Sequence, residues 1–226
     1  MGNPVIIIVG AGPGLGAATA RRFAAAGFDI GLIARNPKRL EEFAETLSQE
    51  GAQVGWAAAD ISDEAALGDA LRRMTEHTGR LDVLLHNASA FRAAPATELT
   101  AQDLLTDLAT GTASLLTAVH AVLPIFREQR TGTIIATGGG TADKPSPSAA
   151  SLGVQKSALR NLVQVLSSEL APEGIHVATV TIYGSIAEGT PFAPEAIAEI
   201  FAGLVEETAT DPENWRTVVE LRKPTS

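Results

Sequence analysis

Five consecutive aliphatic residues, Val5-Ile-Ile-Ile-Val9, run straight into Gly10-Ala-Gly-Pro-Gly-Leu-Gly16 and then into an alanine-rich stretch from Ala17 to Ala26. A segment apolar at every position, rather than at alternate ones, predicts a strand covered on both faces. That demands a parallel sheet with helices on either side. Glycines where the strand hands over to the helix allow a tight turn and let a ligand approach the backbone. The free N–H groups at the helix start, with the helix dipole behind them, favour a pyrophosphate. Gly10, Gly12, Pro13, Gly14, Leu15 and Gly16 therefore predict a dinucleotide site.

The alternation of apolar runs and helical patterns continues to the end of the chain. Asp29–Ala34 predicts a second strand, and Pro37 opens a helix that runs to about Glu50. Val54–Ala59 is a third strand, Asp63–His77 a helix and Val83–Asn87 a fourth strand. Thr100–Arg130 is mostly helical, with Pro124 expected to bend or interrupt it near its end. Thr133–Thr137 is a fifth strand that opens onto a flexible segment, Gly138 to Pro147. A long helix from Ala149 to Leu170, a strand from His176 to Ile182, a helix from Pro194 to Glu207 and a last strand from Trp215 to Leu221 complete the pattern. No repeat or linker divides residues 1–226. The expectation is one domain of the α/β class, a Rossmann-like doubly wound parallel sheet of about seven strands with helices on both faces.

Charge and composition remove several function classes. The 17 basic and 26 acidic residues give a formal charge of −9, with no long-range attraction for nucleic acid or anionic membrane. Without cysteine there is no disulfide, thiolate zinc site or thiol nucleophile. His77, His120 and His176 lack ligand-like spacing with carboxylates, so no metal is expected. The Val5–Val9 run is far too short to cross a bilayer, and the first residues lack the basic and apolar regions of a secretory signal. A cytoplasmic protein acting on a small molecule is expected.

The spacing of Gly10, Gly14 and Gly16 resembles that of the short-chain dehydrogenase/reductase family, and further landmarks fall in that family's order along nearly the whole chain. Asp60-Ile61 resembles the pair that meets the adenine. His86-Asn87-Ala88-Ser89 resembles the family's Asn-Asn-Ala-Gly, and Lys156 falls where the active-site lysine lies. Tyr183-Gly184 replaces the Pro-Gly pair beside the nicotinamide, with Ile186 two residues on. The end of the second strand carries Ala34-Arg35-Asn36, followed by Lys38 and Arg39, where an NAD binder places a carboxylate. An arginine there can pair with a 2′-phosphate, so the expected cofactor is NADP(H).

The resemblance implies a proton relay made by a tyrosine, a lysine four residues later, a serine thirteen residues before the tyrosine and an upstream asparagine. With Lys156 as the lysine, the tyrosine position is Leu152, the serine position Gly139 and the asparagine position Gly111. Three of the four catalytic side chains are missing, so ordinary ketone reduction is not expected. Lys156 remains a catalytic and cofactor-binding candidate, able to hydrogen-bond the nicotinamide ribose. The candidate stand-in for the missing acid is Tyr183, the only tyrosine, with Thr141, Ser148 and Ser151 able to orient a substrate oxygen. His86 is expected to be structural, and Phe192 to cover the pocket as a short lid. The expected function is NADP(H)-dependent oxidation or reduction with a non-standard site, on a substrate such as an activated alkene or an iminium. The alternatives are a redox-neutral cyclase or isomerase and a non-catalytic nucleotide-sensing or partner-binding protein. Relatives pair their leucine- and alanine-rich helices across a two-fold axis, which implies a homodimer or homotetramer.

Overall fold

A computed structural model describes residues 2–223; Met1 and residues 224–226 lie outside it. Seven strands form one sheet, β1 (Val5–Val9), β2 (Asp29–Ala34), β3 (Val54–Ala58), β4 (Val83–His86), β5 (Gly132–Gly139), β6 (Ile175–Ile182) and β7 (Val218–Leu221). All pairs are parallel and the spatial order is β3-β2-β1-β4-β5-β6-β7. Every residue of β1, β4 and β6 is buried, which is why β1 is apolar throughout and β4 apolar but for His86, while the polar His176 and Thr179 of β6 are hydrogen-bonded.

Helices α1 (Leu15–Ala25), α2 (Pro37–Gln49) and α7 (Pro194–Glu207) cover one face, with Phe23, Leu40, Leu47 and Phe201 packed on Ile6, Ile8 and Leu32. The other face carries α3 (Glu64–Thr78), α5 (Ser114–Gln129) and α6 (Ala150–Leu170), whose Leu71, Val119, Phe126 and Val163 meet Ile7, Leu84 and Ile134. Since α7 packs on α1, the β6–α7–β7 connection has the opposite hand to the common right-handed crossovers. The chain leaves β1 for β2 on one side and reaches β4 on the other. The ligand crevice of such a sheet lies at this switch point, beyond the strands' carboxyl ends.

Three expectations are corrected. Pro124 does not break its helix: α5 continues to Gln129, and the irregularity lies earlier, in a π turn at Ala109–Ala113 that follows α4 (Ala101–Leu108). Pro124 removes one N–H from the helix, while Val119, Val122 and Phe126 around it hold the helix against the core. The segment expected to be flexible from Gly138 onward starts as strand, because Gly138 and Gly139 pair with Thr181 and Ile182 of β6. A Cβ at Gly138 would stand 2.7 Å from Thr179 Oγ1, so close strand packing explains that glycine. The last strand starts at Val218 rather than Trp215, whose indole stacks on His176 at 5.0 Å.

The stretch Ala101–Gln129 is long and apolar enough to cross a membrane by length and composition. Here it lies against α3 and α6, with Leu115, Ala118, Val122 and Phe126 in the core.

Candidate active site

The glycine turn sits at the carboxyl end of β1, beside the switch point. Gly10 has φ +90°, and a Cβ on it would lie 2.5 Å from Asn87 O, so only glycine fits. By contrast, a Cβ at Gly12 or Gly14 would meet no atom within 4 Å. That open space lies over the first turn of α1, which begins at Leu15. Asn36 caps α2 by accepting from Arg39 N at 3.1 Å, and Asp63 caps α3 from Ala66 N at 3.0 Å. No side chain caps α1. Its first N–H groups are left for an anion. The cradle fits a pyrophosphate.

Around it stand the other expected cofactor residues. Arg35 is exposed at the end of β2, near enough to Asp60 for their charges to interact. Asp60 holds Ser62 through its N at 3.0 Å and its Oγ at 2.7 Å, which fixes the turn that buries Ile61. Asn87 ties three strands together: its Nδ2 donates to Gly10 O at 3.1 Å and its Oδ1 accepts from Thr137 Oγ1 at 2.9 Å. Ala88 is buried and Ser89 exposed beyond it.

Lys156, on α6, is 6 % exposed and lines a cleft of about 690 Å³ together with Gly139, Thr141, Leu152, Tyr183, Gly184 and Ile186, among others. Its Nζ donates to Thr137 O at 2.7 Å and more weakly to Ala88 O at 3.4 Å. Burial lowers its pKa to about 8. A Cβ on Gly139 would lie 3.3 Å from Lys156 Cγ, so the expected serine position does face the lysine. Thr141 Oγ1, 3.7 Å from that same point, is buried without a hydrogen-bond partner. Ser148 is exposed, whereas Ser151 is fully buried.

Gly111 sits in the π turn against Gln155, whose presence the sequence did not signal. A Cβ there would be 2.0 Å from Gln155 Oε1. Gln155 is fully buried, accepts from Ala90 N at 3.0 Å and donates to Ala90 O at 2.9 Å. This side chain fills the space into which an asparagine at 111 would point, and it secures the loop after β4.

Tyr183 occupies the same cleft, but its hydroxyl turns to carboxylates. It donates to Asp143 and lies 3.0 Å from Glu220 Oε1. Desolvation and these two acids push its pKa up to about 12. Arg160 grips Asp143 through both its amino groups, at 2.6 and 2.8 Å, and holds that carboxyl well below the usual range. Arg222 lies over the Tyr183 ring at 3.5 Å. Phe192 is buried, its ring occupying the place where a Cβ on Gly184 would stand.

His86 is fully buried. Ser114 Oγ donates to Thr110 O at 2.6 Å, so it accepts from His86 Nε2 at 2.7 Å, which assigns the Nε2–H tautomer. Burial, and then the Lys156 charge, lower the His86 pKa to about 3. The folded form therefore refuses a proton that the unfolded chain takes near pH 6.5, and stability is lost as pH falls from 6.5 toward 3. Each pH unit in that window should cost about 1.4 kcal/mol from this residue. Denaturant unfolding of the parent and of His86→Asn between pH 6.5 and 4.5 would show a shallower acid limb in the variant. Equal slopes would refute the assignment.

A doubly wound seven-stranded sheet with an uncapped glycine turn at its switch point defines a Rossmann-like protein. Residues 4–193 match the short chain dehydrogenase family, and the chain belongs to it. It is 33% identical over 181 residues, 80% of this chain and 73% of the relative, to an uncharacterized oxidoreductase from Listeria monocytogenes. It is 34% identical to sulfoacetaldehyde reductase 2 from Chromohalobacter salexigens, over 79% of this chain and 71% of that one. The fold is shared with a short chain dehydrogenase from Mycobacterium smegmatis, at TM-score 0.89 and 23% identity over 100% and 94% of the two chains. A metagenomic short-chain oxidoreductase in complex with NADP superposes at TM-score 0.87, with 22% identity, over 99% and 98%.

Proposed function

We propose that this chain is an NADP(H)-dependent reductase of a small activated alkene, which takes a hydride and a proton, with Lys156 as the proton source in place of the family's tyrosine. The observation that carries the reading is the buried Lys156 ammonium at the wall of the cleft, beside an apolar Leu152 and an unpartnered Thr141 hydroxyl. NADPH, when bound, supplies the hydride. The open cradle over Gly12 and Gly14 receives its pyrophosphate, and Arg35 pairs with its 2′-phosphate. Thr141 Oγ1 orients the polar atom of the substrate that gathers charge, and Lys156 Nζ delivers the proton. A lysine with a pKa near 8 is well matched to that task at neutral pH. Tyr183, committed to Asp143 and Glu220, shapes the cleft and serves as a poor acid.

Titration with NADPH and NADH tests the cofactor reading. Arg35→Ala is expected to weaken NADPH by about 10- to 100-fold, the loss of a charge-assisted pair, and to leave NADH nearly unchanged. Equal weakening of both, or no binding of either, would sink it. Binding without consumption across a panel of enones would favour a redox-neutral cyclase or isomerase, or a non-catalytic sensor. On the same reading a second copy of the chain covers the outer face of α5 and α6, where Leu116, Val154 and Val165 stand exposed. Light scattering should report a homodimer or homotetramer, and a monomer would exclude this.

A further inference from the structure

The cleft is cationic although the chain is not. Lys144, Lys156, Arg222 and Lys223 line it, and among the described residues no carboxylate does. The two acids beside it are already engaged, Asp143 by Arg160 and Tyr183, and Glu220 by Tyr183 and Arg222. Counting Lys144, Lys156, Arg160, Arg222 and Lys223 against Asp143 and Glu220 gives 5 − 2 = +3, in a protein of formal charge −9. Such a concentration of one sign in a concave site selects ligands of the other sign and raises their local concentration.

Arg222 gives this field a fixed donor. Its Nε is spent on Glu220 Oε2 at 2.8 Å and its guanidinium plane rests on the Tyr183 ring, so the side chain is held from two sides. Its two terminal amino groups have no hydrogen-bond partner among the described residues, and a guanidinium edge of that kind suits a planar carboxylate. Lys144 and Lys223 add exposed charge at the same rim. The rest of the wall is apolar or small, with Leu152, Ile182 and Ile186. The geometry points to a small organic anion as the substrate, its carboxylate held by Arg222 with Lys144 and Lys223, and its apolar body laid along Leu152 and Ile186. This rests on the reductase reading for the reaction, but the anion site stands on this chain's own residues.

The test compares trans-cinnamate with its neutral amide, two probes of one shape that differ in charge. Affinities are measured by calorimetry on the protein with and without saturating NADPH, at low and at high salt. Cinnamate should bind about 10-fold more tightly than the amide, a difference of about 1.4 kcal/mol. High salt should shrink the preference. Lys144→Gln with Arg222→Gln should reduce it to within about 2-fold, because two of the rim charges are gone. NADPH affinity in that variant should stay at the parent value. Equal affinities for the two probes, absence of binding by either, or a preference that survives in the variant would overturn the proposal. So would a loss of NADPH affinity in the variant, since the cations would then serve the cofactor. A cinnamate preference in a protein that fails to bind NADPH would leave the anion site standing and remove the reductase reading alone.

Discussion

Leu152→Tyr combined with Gly139→Ser is expected to raise NADPH-dependent reduction of a simple ketone by about 10²- to 10⁴-fold over the parent chain, the usual contribution of a positioned general acid. Residue 152 lies four positions before Lys156 on α6, on the same helix face, so a phenol there would stand beside the ammonium. The nearby cation would lower the phenol's pKa and ready it as a proton donor. At 139 the atoms nearest the new Cβ would be Lys156 Cγ at 3.3 Å and Lys156 Cδ and Thr141 Oγ1, both at 3.7 Å, contacts that a flexible lysine stem can accommodate. The asparagine of the relay is not restored by Gly111→Asn, because Gln155 already fills its place. Initial rates of NADPH consumption with cyclohexanone would be compared across the parent, both single variants and the double. Leu152→Tyr alone should give most of the gain if the Thr141 hydroxyl already serves the substrate oxygen. A folded double variant that binds NADPH yet shows no gain would mean that the cleft does not present a substrate to the hydride.

What the sequence made legible depended on how local its cause was. Strands buried on both faces are written as apolar runs, so β1, β2 and β4 could be placed within a residue, and Pro194 marks the start of α7. The glycine turn and Lys156 carry their own spacing and could be found without coordinates. The π turn could not, because Gly111 within it packs against Gln155, 44 positions further on, a contact no local pattern announces. Pro124 misled for the same reason, as its local preference yields to the packing of α5 on the core. Gly138 and Gly139 looked like slack chain, whereas both pair with β6 as strand, and crowding by Thr179 and Val180 demands the first of them. Arg222 reaches the cleft, and Glu220 comes to stand beside it, only because β7 pairs with β6, bringing Glu220 to Tyr183 across 37 positions. No motif announces that pairing, so Arg222 and Lys223 at the rim stayed out of view.

Lys156→Met should lower turnover of any substrate the parent reduces by about 10²- to 10⁴-fold, with NADPH affinity changed far less. The distinction follows from what the side chain touches. Its Nζ bonds Thr137 O and Ala88 O and the residue lines the cleft, while the cradle at Gly12 and Gly14 and the charge of Arg35 belong to other elements. Methionine keeps the length of the side chain, so Leu152 and Gly139 retain their neighbour, and it removes a buried charge. A loss of turnover therefore reports chemistry rather than a collapsed cleft. The pH profile separates a proton donor from a mere electrostatic prop. Lys156 donates only while protonated, so the parent rate should hold below pH 8 and fall about tenfold per unit above it. Lys156→Arg keeps the charge but holds its proton far beyond that range, so its rate should be low and flat with pH. If Lys156→Arg instead matched the parent, the ammonium would be acting through its charge alone, and the proton would have to come from water entering the cleft.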